Sequence, residues 1–235
     1  CNIECDNCYI FSSPVNDRLA YITAPEASAY LDEIRDLGLD VREIGFTGGE
    51  PFMNPDILRM IGDALERGHE VLVLTNAMKP MMRPAMQGGL LKLKAAHGPR
   101  LTLRVSLDHY SAAFHEMERG KGSWQLVLDG LDWLSRHGFS INVAGRTCWN
   151  ETEAEARKGF KALFAEKGWR IDADHPGELV LFPEMDEAAD VPEITMACFG
   201  LLGKRPEDLM CATSRMVVKR KGAAAPAVTA CTLLP

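Results

Sequence analysis

The chain has 235 residues, 46% hydrophobic and 25% charged, which suits a globular protein with one large core and a small appendage. A formal charge of −7 argues against a nucleic-acid backbone as partner, and no apolar run or basic leader of the kind that spans or enters a membrane is present. Seven cysteines, an odd number with three clustered, fit a reducing compartment, read here as the cytoplasm, better than a disulfide framework.

Cys1, Cys5 and Cys8 open the chain as CxxxCxxC. Three thiolates on one short loop can bind three irons of a cubane [4Fe-4S] cluster and leave the fourth iron open for chemistry. The same spacing also fits a zinc knuckle completed by a distant residue such as Cys198. A first residue that is not Met, and an apolar run from Ala227 that stops at Cys231, read as a fragment with sequence beyond both ends.

Glycines at 38, 68, 98, 138 and 168 each follow a helical pattern and precede an apolar run, which marks repeated strand-helix units closed by a glycine past each helix end. Helical stripes run through Ala27, Leu31 and Ile34, through Ile57, Ile61 and Leu65, through Val127, Leu131 and Leu134, and through Ala156, Phe160 and Leu163. Asn54 and Ser123 are the expected N-caps of the second and third of these. Nearly continuous apolar segments predict parallel strands at Val41 to Phe46, Val71 to Thr75, Leu101 to Leu107, Phe139 to Ala144 and Glu178 to Phe182. Between them, Pro84 and Gly88-Gly89 predict a broken helix over Pro80 to His97. The expected fold class is α/β, a barrel or part of one, with its chemistry at the carboxyl ends of the strands.

Polar motifs fall at those ends. The first strand runs into Thr47-Gly48-Gly49-Glu50-Pro51, where paired glycines admit a ligand close to the backbone and Glu50 offers a carboxylate to a cation. The second ends in Asn76 and the third in Ser106-Leu107-Asp108; hydroxyl, amide and carboxylate groups there can bind a polar ligand, while Asn76 and Asp108 serve equally as turn or capping residues. Arg104 and Arg146 could each neutralise a ligand carboxylate or pair with an acidic neighbour. Val143 and Phe182 sit on the last two strands, where core packing is the simpler role. In the stretch His115-Glu116-Met117-Glu118-Arg119-Gly120, a surface position suits a histidine among so many charges.

Cys211 and Cys231 bracket two β-prone runs about Lys219-Arg220-Lys221-Gly222, so a hairpin would bring the two thiols together. Cys148 reads as a core or strand-edge thiol.

CxxxCxxC followed by GGEP at the next strand end resembles the radical S-adenosylmethionine (radical SAM) superfamily. That resemblance implies a partial (β/α)6 barrel over 1–184 whose first strand lies upstream of Cys1, with a small C-terminal β-hairpin extension over 185–235. It implies a [4Fe-4S] cluster on Cys1, Cys5 and Cys8 whose open iron chelates SAM, and SAM contacts around Gly48, Gly49, Glu50, Pro51, Asn76, Ser106, Asp108, Val143 and Phe182. The reaction it implies is reductive cleavage of SAM to a 5′-deoxyadenosyl radical, fed by an electron donor such as flavodoxin or ferredoxin, acting on a peptide or a small molecule. The His115 to Ser123 stretch and the tail resemble radical SAM enzymes with SPASM or twitch domains, which implies a second Fe-S cluster through Cys211 and Cys231. The glycine-to-cysteine gap in the tail is longer than that pattern. Two rivals stand beside this reading. One is a zinc-stabilised, non-catalytic binding module, and the other a thiol-disulfide protein using Cys211 and Cys231.

Overall fold

A computed structural model describes the chain except for residues 184–189, 191, 192, 194 and 231–235. It divides into two compact units, one of Cys1–Asn16 with Thr23–Glu184 and one of Asp17–Ile22 with Met185–Pro235.

In the first unit, after the cysteine loop, the elements are α1 (Ala24–Asp36), β1 (Glu43–Phe46), α2 (Ile57–Glu66), β2 (Glu70–Thr75), α3 (Pro84–His97), β3 (Leu101–Ser106), α4 (Ala112–Arg119), α5 (Ser123–Arg136), β4 (Ser140–Thr147), α6 (Glu153–Lys167) and β5 (Leu179–Pro183). All five strands are parallel and lie side by side in sequence order, as repeated strand-helix crossovers require. This is the expected α/β half-barrel. Each predicted strand is found, with no end moved by more than three residues. The five marker glycines all adopt positive φ, between 60° and 97°. Thr23 with Glu26 and Thr152 with Glu155 form reciprocal capping boxes that start α1 and α6.

The core lies between sheet and helices. Phe52, Ile57, Ile61, Leu65, Leu103 and Phe160 are among its side chains and are almost wholly buried. Along β3 burial alternates: Leu101, Leu103 and Val105 are buried, while Thr102, Arg104 and Ser106 are partly exposed on the other face.

Three local expectations are corrected. Pro80 to His97 is not a broken helix: Pro84 takes the first helical position, where its missing N–H is harmless, and α3 runs unbroken through Gly88-Gly89. Gly89 is there for packing, because a Cβ on it would lie 2.3 Å from Leu58 Cδ1. Asn54 is not the cap of α2. It closes a short 3-10 turn, Pro51–Met53, and its Oδ1 accepts the Asp56 N–H at 2.9 Å, so the helix starts later. Left-handed Gly122, rather than Ser123, caps α5.

The second unit contains α7 (Met196–Leu202), α8 (Met210–Thr213), β6 (Met216–Val218) and β7 (Ala227–Thr229), the last two forming the expected antiparallel hairpin. Arg18 to Ala20 line its edge: Ala20 N–H donates to Lys219 O and Lys221 N–H to Arg18 O, both at 2.8 Å, and Lys221 pairs with Asp17.

Candidate active site

The cysteine loop meets the carboxyl ends of β1, β2, β4 and β5 and, past β3, the end of α4. At β1, Gly49 backs directly onto it: a Cβ there would stand 2.3 Å from Ser12 Oγ, 2.7 Å from Cys1 Cβ and 2.9 Å from Cys1 N. At β2, Asn76 Nδ2 donates to Asn2 Oδ1 at 2.9 Å. Beyond β3, Glu118 in the last turn of α4 accepts Asp6 N–H at its carbonyl (3.0 Å) and Asn7 Nδ2 at its carboxylate (3.3 Å). From β4, the Arg146 guanidinium donates to Asn7 O and covers the Tyr9 ring, 4.9 Å from its centroid. At β5, Tyr9 Oη donates to Pro183 O at 3.2 Å, and the Tyr9 and Phe182 ring centroids are 6.0 Å apart.

Cys1, Cys5 and Cys8 are partly exposed free thiols. Burial pushes the Cys5 thiol up and the Arg119 guanidinium opposes it. Cys8 folds the loop back on itself, with its carbonyl accepting Phe11 N–H at 2.9 Å and its Sγ accepting Ser12 N–H at 3.3 Å. Among the described residues no three His, Cys, Asp or Glu side chains converge as they would on a single metal ion. In a cubane cluster each thiolate takes its own iron. Three free thiols on one tethered loop, with a bare glycine backbone against Cys1, fit such a cluster.

Glu50 is almost wholly buried. Its Oε1 accepts Phe52 N–H at 3.1 Å and Thr75 Oγ1 at 2.8 Å, and its Oε2 accepts Asn76 N–H at 2.8 Å. Burial pushes its carboxyl above the ordinary carboxylate range, against these three bonds. Gly48 sits at φ 136°, a conformation that favours glycine.

Asp108 is 3% exposed and held between two guanidiniums, with Arg119 Nε at 2.5 Å from Oδ2, Arg119 NH2 at 3.0 Å from Oδ1 and Arg146 Nε at 3.4 Å from Oδ1. Burial opposes its ionised form, yet Arg119 and then Arg146 hold the carboxyl below its usual range. The surface position expected for His115 is overturned. It is fully buried, and its Nδ1 accepts Asp108 N–H at 3.3 Å.

Ser106 lies partly exposed at the end of β3, opposite Ala144 in register, and Phe182 is exposed at the end of β5. Val143 does not join them. It is fully buried in the same strand phase as Ile141, so only its backbone is near the other strand ends. Arg104 donates weakly to Gly177 O at 3.4 Å and keeps a buried Nε without a partner. Asn2, Tyr9 and Arg119 were not identified from sequence as site residues. Only Arg119 carried a signal, through the His115 to Ser123 stretch.

In the second unit, Cys211 is exposed on α8 and Cys198 sits on α7, where Thr195 N–H and then its hydroxyl lower the thiol's pKa. Cys231, and with it the pairing with Cys211, lies outside the described residues.

The radical SAM superfamily model matches residues 1–161. The chain belongs to that superfamily. Superfamily members are enzymes that use a [4Fe-4S] cluster and SAM. The radical SAM chain is 30% identical over 145 residues to the antilisterial bacteriocin subtilosin biosynthesis protein AlbA of Bacillus subtilis (strain 168), covering 61% of this chain and 30% of AlbA. It is 26% identical over 187 residues to a GTP 3',8-cyclase of Microcystis aeruginosa, covering 73% of this chain and 51% of that protein. It is 28% identical over 144 residues to an AdoMet-dependent heme synthase of Methanosarcina barkeri, covering 61% and 38%. The chain thus spans about a third to a half of the length of these relatives. Streptococcus suis SuiB, in its crystal structure bound to S-adenosylmethionine, shares the fold at 15% identity with a TM-score of 0.59, over 86% of this chain and 43% of SuiB. SuiB bound to its precursor peptide SuiA aligns at 17% identity with a TM-score of 0.56, over 72% and 35%. Among the described residues no helix is long and apolar enough to cross a membrane.

Proposed function

We propose that this chain is the catalytic core of a radical SAM enzyme, with 1–184 as its barrel and 185–235 as an extension. Cys1, Cys5 and Cys8 would hold the [4Fe-4S] cluster, and SAM would lie across Gly48 to Pro51, Asn76, Ser106, Asp108, Phe182 and the backbone at Val143. The observation that carries this reading is the loop of three free thiols tethered at the ends of β1, β2, β4 and β5 and at the end of α4. When bound, the cluster and SAM supply reductive cleavage of a sulfonium C–S bond and a 5′-deoxyadenosyl radical that abstracts hydrogen from substrate.

The chain's own residues position and shield. Gly49 lets the GGEP turn lie against Cys1. Glu50 fixes Asn76, and Asn76 fixes Asn2. Asp108 orients Arg119 and Arg146, and Arg146 bonds the loop at Asn7 O. Tyr9 and Phe182 pair on the β5 side and would hold that end of the loop in place.

A peptide substrate is favoured by two likenesses, to a bacteriocin biosynthesis protein and, in fold, to a protein crystallised with a precursor peptide. A low-potential flavodoxin or ferredoxin would supply the electron in the cytoplasm, and Cys211 with Cys231 would begin a site for a second cluster. Anaerobic reconstitution with iron and sulfide, followed by dithionite and SAM, tests the core of this reading. Expected are about four irons at the loop and release of 5′-deoxyadenosine, both lost in Cys1→Ala, Cys5→Ala and Cys8→Ala. A protein that instead binds one zinc and never cleaves SAM refutes it.

A further inference from the structure

We propose that the buried charge of Arg119 raises the electron affinity of the cluster held by Cys1, Cys5 and Cys8, and that the Asp108 carboxylate in contact with it works in the opposite direction. This rests on the function proposed above and adds to it a residue that sets the cluster's potential.

Arg119 ends α4, and its side chain is only 12% exposed. The preceding residue, Glu118, accepts Asp6 N–H at 3.0 Å, and Asp6 lies between Cys5 and Cys8. The end of α4 is thereby docked onto the middle of the cysteine loop, which fixes where the guanidinium stands. One edge of that guanidinium, Nε and NH2, is paired with Asp108 at 2.5 and 3.0 Å, which fixes its orientation. Asp108 is itself shared with Arg146, whose guanidinium also donates to Asn7 O in the same loop. One carboxylate thus joins two guanidiniums, one beside the α4 end that docks on Asp6 and the other bonded to Asn7.

His115 touches this group through Asp108 N–H but brings no charge near neutral pH, because burial and Arg119 push its pKa down to about 4. Arg119, Asp108 and Arg146 all lie close enough to the Cys5 thiol to act on it electrostatically. Burial opposes the charged form of Arg119, yet Asp108 holds its pKa above the usual guanidinium range, so the charge persists. In a low-dielectric site a fixed positive charge favours the state with one more electron, and net charge beside a cluster is a main determinant of its potential.

The test is an EPR-monitored redox titration of the anaerobically reconstituted full chain, poised with dithionite and mediators and without SAM. One electron is added to the oxidised cluster, from 2+ to 1+, and no proton is required. For Arg119→Gln the midpoint is expected to move negative, so that the ratio of reduced to oxidised cluster at fixed potential falls about tenfold, equivalent to ~59 mV for one electron. Arg119→Lys keeps the charge and is expected to stay near wild type. Asp108→Asn removes the opposing charge and is expected to move positive. A clasp that merely holds the loop would shift Arg119→Gln and Asp108→Asn the same way, or neither, and either result overturns the proposal. If Arg119→Gln cannot hold a cluster, Asp108→Asn decides alone, and no positive shift is fatal. A wild-type chain that takes up no [4Fe-4S] cluster refutes the proposed function itself, whereas an intact cluster with unmoved potentials refutes only this inference.

Discussion

The carboxylate of Glu50 accepts the backbone N–H of Asn76 at 2.8 Å, so the turn after β1 is fastened to the end of β2 inside the core. Asn76 in turn bonds Asn2, and the fastening reaches the cysteine loop. Glu50→Ala would leave Phe52 N–H, Thr75 hydroxyl and Asn76 N–H buried without acceptors. At about 1–3 kcal/mol for each orphaned group, and less than additively, the expected loss is about 3 kcal/mol. Chemical denaturation of the variant checks this. A loss under ~1 kcal/mol would mean that Glu50 does not hold the two strand ends together.

Gly49→Ala is expected to cost less stability and more cofactor. The new methyl would meet Ser12 Oγ at 2.3 Å, Cys1 Cβ at 2.7 Å and the Cys1 backbone at 2.9 Å, so the loop must retreat while the sheet stays. Overpacking of this kind costs about 1–3 kcal/mol. Circular dichroism should remain native while iron and sulfide content after anaerobic reconstitution falls by more than half. Full cluster content in Gly49→Ala would show that the loop need not lie so close.

The thiols, the GGEP turn and the Ser-x-Asp strand end were legible because each is a local pattern placed by strand periodicity. The relations that bind them were not. Arg119 meets Asp108 eleven residues away and Arg146 meets Asn7 across 139, and neither pair leaves a repeat in the sequence. His115 stands beside Glu116 and near Glu118 and Arg119, which reads as surface, but a single bond from Asp108 N–H gives the buried ring a partner. Val143 was placed on the right strand, and the phase of the pleat then turned it into the core. Arg18 to Ala20 pair with residues some two hundred positions later, a register no local signal could supply.

Two glycines separate backbone crowding from side-chain crowding. Gly89→Ala in α3 presses on Leu58 Cδ1 at 2.3 Å, the movable tip of a side chain. Gly130→Ala in α5 presses on the Ala77 carbonyl oxygen at 2.0 Å, and Ala77 is already at φ 54°. Both gain up to ~1 kcal/mol of helix propensity. Gly89→Ala should therefore lie within about 1 kcal/mol of wild type, and Gly130→Ala should be at least ~2 kcal/mol less stable. Thermal melts of the pair check the order, and equal costs would contradict the geometry.

His115 makes stability depend on pH between 4 and 6.5. Its Nδ1 accepts Asp108 N–H, so in the neutral ring Nε2 carries the proton, and that buried N–H has no partner. Burial, and then Arg119, push its folded pKa down to about 4, while an unfolded histidine titrates near 6.5. Between these values the unfolded chain binds a proton that the folded one refuses. The contribution is therefore fully present above about pH 6.5 and is lost on acidification toward pH 4, by about 3 kcal/mol in all. Asp108 does not enter this window, since its folded pKa lies below the ordinary range and its contribution is lost only at more acid pH. His109, whose pKa is also lowered by burial, is present in both wild type and variant. Denaturant unfolding at pH 7 and pH 5 should show the wild type losing about 2 kcal/mol more than His115→Gln. Identical losses in the two proteins would mean that the ring is charged when folded.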